Sequence, residues 1–425
     1  MIDSNWEPDC QHTPGAGLCG TRLHPPSLQA GDGRQPADGS GLYLYQDRNR
    51  YFAMASDTVE DLAEEELREL GAERTATTYR GVYFSADRAT LYRINYMTRL
   101  VTHVLAPLDE FGCHNPDYLY RRARRVDWSD FIGPDQTFAV FANVSESKID
   151  HSQYAALRVK DAVVDQMRDR YGRRPSVDRE DPHLWINLHI HNNRASLRID
   201  TSGGSLHRRG YRLDSVEAPI RETNAAAIIR ITGWNGRRPL YDPMCGSGTL
   251  LAEAMMSYCR IPAGYLQERF GFMRLPDYDP ELWEQVRRGC NGWMRPLPEG
   301  LIAGSDADPK AVEAARENLS RLPGGGGVEL AVSRFQDLAG LQNVEIVTNP
   351  PYGKRIGRSD METFMEELGD FLKQRCQGSV AWVYTGRREL LKSVGLRTSM
   401  KRPLRNGPMD GRLARYEIYE GSRKG

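Results

Sequence analysis

Asp242-Pro243-Met244-Cys245-Gly246-Ser247-Gly248-Thr249-Leu250 closes a short apolar run, residues 239–242, and opens a stretch that carries Leu251, Ala254 and Met255 at helical spacing. The order is strand, tight turn, helix. Glycines at 246 and 248 remove Cβ atoms, so that backbone can come close to a ligand, and the helix that follows presents unpaired N–H groups at its first turn. A small cofactor is expected across this turn. Gly-x-Gly alone reads as readily as a bare turn, but the acidic residue at the strand end favours a ligand. The dinucleotide fingerprint's third glycine and the Gly-Lys-Ser/Thr of a phosphate-binding loop are both missing, so nucleotide phosphates are not the expected ligand.

Further strands are expected over 301–306, 328–332, 344–348 and 380–384, separated by helix-length segments, with a closing strand through Ala414, Tyr416 and Ile418. This alternation predicts a mostly parallel sheet, whose ligands bind at its carboxyl edge. Three stretches fall on that edge beside the first. In Gly304-Ser305-Asp306-Ala307-Asp308-Pro309, Asp306 is placed to accept hydrogen bonds from ribose hydroxyls, whereas Asp308 before Pro309 reads as a helix N-cap. Phe335-Gln336-Asp337 brings a second carboxylate. In Thr348-Asn349-Pro350-Pro351-Tyr352-Gly353, the prolines fix the backbone, so the Asn349 side-chain oxygen and the Pro350 carbonyl can converge on one amine. Tyr352 offers a ring on which a base can stack.

Upstream the texture differs. Residues 1–48, rich in Gly, Pro, Asp and Gln, show no apolar period and are expected to be a disordered tail. Asp57 and Glu60 suggest a capping box for a helix carrying Val59, Ala63, Leu67 and Leu70, with Gly71 as its stop. A strand near Tyr79–Phe84, a helix near 91–100, a strand over 137–144 and a helix with Ala156, Val159, Val163 and Met167 follow. Leu184, Ile186, Leu188 and Ile190 alternate, Asn192-Asn193 turns the chain, and Leu197 and Ile199 continue, which reads as a β-hairpin. Strands and helices interleaved in this way predict an α+β region of two small joined units.

The Asp242 motif followed by Asn349-Pro350-Pro351-Tyr352 resembles class I S-adenosylmethionine-dependent methyltransferases that modify exocyclic amines of nucleic-acid bases. His151-Ser152-Gln153-Tyr154 to Asp165, the Leu197–Asp200 strand and Leu206–Arg212 resemble the THUMP RNA-binding module. Residues 218–225 resemble the start of the catalytic domain in the same proteins. The resemblance spans roughly residues 50 to 420 and is nearest to bacterial 23S rRNA guanine-N2-methyltransferases, whose long form continues into a second methyltransferase that this sequence stops short of. It implies a ferredoxin-like unit over 49–110, a THUMP domain over 111–215 and a Rossmann-like methyltransferase domain over 216–425. It also implies S-adenosylmethionine as cofactor, held by Thr223, Asp242, Pro243, Cys245, Gly246, Ser247, Gly248, Thr249 and Asn349, with Asp306 on the ribose and Asp337 on the adenine. Asn349, Pro350 and Tyr352 would hold the target base, and rRNA is the expected substrate, with tRNA as the other candidate. Cys245 is expected to pack inside its motif, which argues against pyrimidine C5 chemistry, where a thiolate adduct is required.

Equal numbers of basic and acidic residues, 57 each, mean that any RNA surface must come from local clusters. Tyr118 to Arg125, including Arg121 and Arg122, interleaves rings and guanidinium groups; Arg208, Arg209, Tyr211 and Arg212 form a second group. Each is more often a solvated face, and the base-modifying domain downstream is what favours phosphate contact. Seven scattered cysteines without a Cys-x-x-Cys pair give neither a disulfide framework nor a zinc site, and a reducing cytoplasm is expected. No membrane span, signal peptide or metal is expected, and His189 and His191 read as surface residues. Adenine N6 methylation and a non-catalytic ribosome assembly factor stand as rival readings.

Overall fold

The computed structural model describes residues 43–213, 220–351, 358–407 and 409–419, with the side chains of 358 and 359 excepted. Its first part runs α1 (Leu44–Arg48), β1 (Arg50–Ala55), α2 (Glu60–Glu69), β2 (Glu73–Thr78), β3 (Gly81–Ser85), α3 (Arg88–Met97), β4 (Val101–Gly112), α4 (Pro116–Ala123), β5 (Thr137–Ser145), α5 (Ser152–Tyr171), β6 (Ser176–Val177), β7 (Leu184–His191) and β8 (Arg194–Asp200). These strands make one eight-stranded sheet in the order β2-β3-β1-β4-β8-β7-β5-β6. The expected hairpin is β7–β8, and Asn192 and Asn193 both adopt positive φ, 49° and 58°, as its two-residue turn demands. Ala155, Val159, Ala162, Val163 and Met167 form the buried stripe of α5, which ends on Gly172 at φ 66°.

The two small units share this sheet through β4, which pairs antiparallel with β1 on one side and β8 on the other. Pro107 sits within this central strand. The register shifts between Pro107 and Asp109, and such an irregularity is where a residue without an N–H is tolerated.

The second part comprises α6 (Glu222–Thr232), β9 (Leu240–Asp242), α7 (Thr249–Tyr258), α8 (Pro280–Asn291), β10 (Ile302–Asp306), α9 (Pro309–Ser320), β11 (Glu329–Val332), β12 (Glu345–Thr348), α10 (Arg358–Arg375), β13 (Val380–Thr385), β14 (Met400–Pro403) and β15 (Arg412–Glu417). Its seven-stranded sheet has the order β11-β10-β9-β12-β13-β15-β14. The first five neighbours run parallel, and β15 is antiparallel to β13 and β14. Strand order reverses direction at β9. In a sheet of this kind the crevice at the carboxyl ends around the reversal is the ligand site.

Two expectations change. The expected tail reaches too far, because Tyr45 on α1 is fully buried and its hydroxyl bonds to Asp277 at 2.8 Å; residues 1–42 lie outside the described residues. The capping box is also displaced. Val59 is the N-cap of α2, Glu60 accepts from the Thr58 N–H at 2.8 Å, and the Asp57 carboxylate instead pairs with Arg405.

The parts are also tied by charge. Arg230 of α6 pairs with Glu69 of α2 at 2.6 Å, and Arg402 of β14 with Asp61 at 2.7 Å. Deeper down, Glu253 of α7 is wholly buried and meets Arg209 Nε at 3.3 Å and the Tyr211 hydroxyl at 3.3 Å. Arg99, from the link between α3 and β4, donates to the Met256 and Ile261 carbonyls at 2.8 and 2.6 Å. The helix that carries the glycine turn is thereby anchored to the upstream module.

Candidate active site at the carboxyl edge of the second sheet

Parallel register aligns the candidate residues. Gly304 of β10 lies opposite Asp242, and Ile346 of β12 opposite Tyr241. Asp242, Asp306 and Asn349 therefore leave the ends of three adjacent strands on one edge. Asp242 is buried and accepts the Met244 N–H at 3.1 Å, which bends the chain back over its own carboxylate. Asp306 accepts from the Gly246 N–H at 2.8 Å and, with its other oxygen, from the Asp308 N–H at 3.0 Å. The turn is thus laced to β10, and Cys245 N–H donates to the Ser305 carbonyl at 2.9 Å. Asp308 caps α9 by accepting from the Lys310 N–H at 2.9 Å, as the sequence reading expects.

Burial pushes the Asp242 carboxyl up to about 7, with the Asp306 charge adding to the rise and the Met244 N–H opposing it. Two carboxylates facing one glycine turn make a site for a cation. The Cys245 thiol is pushed up strongly by burial and by those same carboxylates, so it offers no thiolate nucleophile.

Gly246 and Gly248 have φ values of 52° and 80°. A Cβ at 248 would sit 3.1 Å from the Ala315 Cβ on α9. Glycine is required there by backbone conformation and by packing of the turn on a helix, besides any ligand. Gly248→Ala is accordingly expected to lower the unfolding free energy by about 1–2 kcal/mol, and the bulkier Gly248→Val more, read as a lower melting temperature. An unchanged melting temperature would leave close approach of a ligand as the sole reason for glycine.

Asn318 escapes sequence reading, and Arg212, grouped there with the basic cluster for RNA, braces the turn instead. Asn318 of α9 donates to the Ser247 carbonyl at 3.1 Å, and Arg212 donates to Thr249 Oγ1 at 2.8 Å and to the Ile220 carbonyl at 3.0 Å. No local pattern marks Asn318, and the basic cluster around Arg212 points to phosphate rather than to this turn. Thr223 and Asn224 lie buried on the first turn of α6, which packs on α7. Among the described residues, Thr223 Oγ1, Asn224 Oδ1 and Asn349 Oδ1 are buried without a hydrogen-bond partner. Unmatched buried oxygens are costly and rare, and acceptors in this state suit a ligand bearing amine N–H groups. The acceptors Asp242, Asp306, Thr223 and Asn224 fit S-adenosylmethionine, which brings an ammonium, ribose hydroxyls and an adenine amine, and Asn349 Oδ1 is left over for a further amine. Asp337, in the turn after β11, is exposed, and Pro350 is buried beside Asn349. Tyr352 lies outside the described residues.

The residues read as RNA contacts separate. Arg121 is exposed, over the Tyr118 ring at 5.8 Å, and Arg208 is exposed. Arg122 is half-buried, paired with Asp109 at 2.6 Å and set over Phe111 at 4.7 Å, so it braces β4. Arg209 and Tyr211 are buried on Glu253 and present nothing to a ligand in solution. Their polar groups look like a surface cluster in sequence because the partner lies far along the chain. Among the described residues no cluster of metal-binding side chains occurs, and no helix is long and apolar enough to cross a membrane.

Three family models match the chain: an RlmL ferredoxin-like domain over residues 50–105, a THUMP domain over 113–200, and an RMKL-like methyltransferase domain over 209–415. A Synechocystis protein described provisionally as an RNA methyltransferase is 41% identical over 372 residues, covering 87% of this chain and 97% of its own. A ribosomal RNA large subunit methyltransferase K/L of Syntrophotalea carbinolica is 41% identical over 386 residues, covering 87% of this chain and 54% of its own. The chain thus spans about half the length of the K/L relatives it matches. Among solved structures, one described provisionally as a methyltransferase, SMU.472 complexed with SAH, superposes with a TM-score of 0.76 at 27% identity, covering 88% of this chain and 99% of its own. A Listeria monocytogenes protein, named by prediction an N6-adenine-specific DNA methylase, gives 0.75 at 26% identity, covering 87% and 96%.

Proposed function

Because the chain belongs to the family of THUMP-domain methyltransferases that includes the ribosomal RNA large subunit methyltransferases K/L, we propose that it transfers a methyl group from S-adenosylmethionine to the exocyclic N2 amine of a guanosine in RNA, with 23S rRNA as substrate. The observation that carries this reading is the buried, unpartnered Asn349 Oδ1 at the end of β12, on the same sheet edge as Asp242 and Asp306. When bound, the cofactor supplies an electrophilic sulfonium methyl. The chain's own residues position and polarise. Asp242 faces the cationic methionine end, and Asp306 has oxygen lone pairs left for ribose hydroxyls.

An aromatic amine is a poor nucleophile while its lone pair is shared with the ring. Acceptance of its N–H groups by Asn349 Oδ1 and the Pro350 carbonyl holds the amine in a geometry that frees the lone pair, and orients it for in-line displacement. The same acceptors would serve an adenine N6 amine. The large-subunit ribosomal RNA relatives and the THUMP match favour RNA over the DNA named for the Listeria neighbour, and guanine over adenine rests on the sequence resemblance. Methyl-labelled cofactor offered together with 23S rRNA and tRNA tests the substrate: label entering 23S rRNA supports the reading, and label confined to tRNA refutes it.

The Asp242 carboxyl gives a pH signature. Its pKa in the folded chain, about 7, lies above the ordinary value of 3.8. Between these values the folded state keeps a proton the unfolded state has lost, so this group makes stability fall as pH rises toward 7. Cofactor binding runs the other way, since a cation favours the ionised carboxylate. Affinity for S-adenosylmethionine is expected to rise by up to about tenfold per pH unit below 7 and to level off above it. Calorimetry on Asp242→Asn should give a flat and weaker profile; an unchanged slope would place the titrating group elsewhere.

A further inference from the structure

The face of the first sheet turned away from α5 carries, at alternating positions, Phe141 on β5 and Trp185, Asn187, His189 and His191 on β7. Phe141 is 47% exposed and stacks on Trp185, with ring centroids 5.0 Å apart and planes 21° apart. A stacked aromatic pair left open to water on a sheet is the form of a base-stacking platform. The pair lines a cleft of about 1130 Å³ whose far wall is the segment 266–274 of the second part. That wall is fixed in place, since Gln267 donates to the Ser202 carbonyl at 2.7 Å and Arg269 pairs with Asp181 at 2.6 Å.

Charge completes the picture. Arg179, Arg208 and Arg274 border the cleft, and among the described residues none of the three has a carboxylate at ion-pair distance. Of the acidic groups there, Asp200 is held by His103 at 2.7 Å and Asp181 by Arg269, which leaves Glu180 and Glu268 against three unspent arginines. We propose that this cleft, shared by the THUMP region and the methyltransferase part, takes an unpaired strand of the RNA substrate, with one base stacked on Phe141 and its phosphates on the arginines. This inference rests on the RNA reading above. A duplex offers no free base face, so the platform selects single-stranded or looped RNA.

The test uses the full chain and fluorescence anisotropy with a mixed-sequence RNA of about 12 nucleotides, a length within the usual single-strand site range, as single strand and as duplex. Phe141→Ala is expected to raise the single-strand Kd about tenfold or more, the usual effect of losing one stacked base, with duplex affinity unchanged. Phe141→Tyr, which keeps the ring, should bind as the parent does. Melting temperature and cofactor affinity report folding; if Phe141→Ala fails them, Phe141→Leu is read instead, because it keeps an apolar contact with Trp185 while removing the ring. Unchanged single-strand affinity, or equal losses on strand and duplex, overturns the proposal. Parent protein that methylates RNA beside a Phe141→Ala protein of undiminished affinity refutes the cleft alone; Phe141-dependent binding without any RNA methylation refutes the methyltransfer reading alone.

Discussion

Asn349→Ala is expected to lower kcat on RNA by about a hundredfold or more, the scale of losing one preorganised polar group from a transition state, while the cofactor Kd moves by less than about twofold. The split follows from geometry. The proposed cofactor site is residues 242–248 and Asp306, which are laced to one another by the Gly246 and Met244 N–H groups. Asn349 follows a different strand, β12, and among the described residues its Oδ1 has no partner to lose. Removing it therefore leaves the turn intact and takes away only the acceptor offered to the amine. Single-turnover methylation with saturating cofactor, alongside calorimetric cofactor titration, measures both quantities. Turnover at the parent rate would end the amine-orienting role, and a parallel collapse of cofactor affinity would make Asn349 part of the cofactor site instead.

Arg209→Ala is expected to destabilise the chain by about 3–5 kcal/mol, because it strands the wholly buried Glu253 carboxylate in the middle of α7. Burial already pushes the Glu253 carboxyl up, and Arg209 and Arg99 oppose that rise. Replacing both partners with apolar residues, Arg209→Met with Glu253→Leu, should recover part of the loss, since the stranded carboxylate is removed while buried Arg99 keeps only the Glu66 charge nearby. Thermal unfolding of the single and double variants decides it; a loss below about 1 kcal/mol for Arg209→Ala would mean that water reaches Glu253. The same network bears on domain independence. A fragment of residues 216–425 lacks both Arg99 and Arg209, so it should be less stable than the full chain even though it holds every strand of the second sheet.

The second sheet was legible because each of its strands is a short apolar run ended by a turn signal, and because the candidate site residues sit at those ends. Asp242, Asp306 and Asn349 fall on one edge by the order of strands and turns in the sequence alone. What escaped the sequence was whatever depends on distant partners. Strand β4 hides because Thr102, His103, Pro107, Asp109 and Glu110 break its alternation, and it is stabilised by pairing on both sides. Strand β2 is mostly exposed at the sheet edge and has no apolar face to betray it. Arg209 and Tyr211 resemble a basic, aromatic surface group until Glu253, 44 residues away for Arg209, is seen to bury them. Phe141 and Trp185 are ordinary strand residues in sequence, and only the parallel pairing of β5 with β7 brings their rings together.

The edge formed by Asp242, Asp306 and Asn349 is proposed to methylate guanine N2 in RNA. Full-length protein incubated with protein-free 23S rRNA and methyl-labelled S-adenosylmethionine, followed by digestion to nucleosides and mass-resolved chromatography, reads the product directly. The label is expected to co-elute with N2-methylguanosine and to disappear with Asn349→Ala. Label in N6-methyladenosine, or in a ring-carbon-methylated pyrimidine, would contradict it.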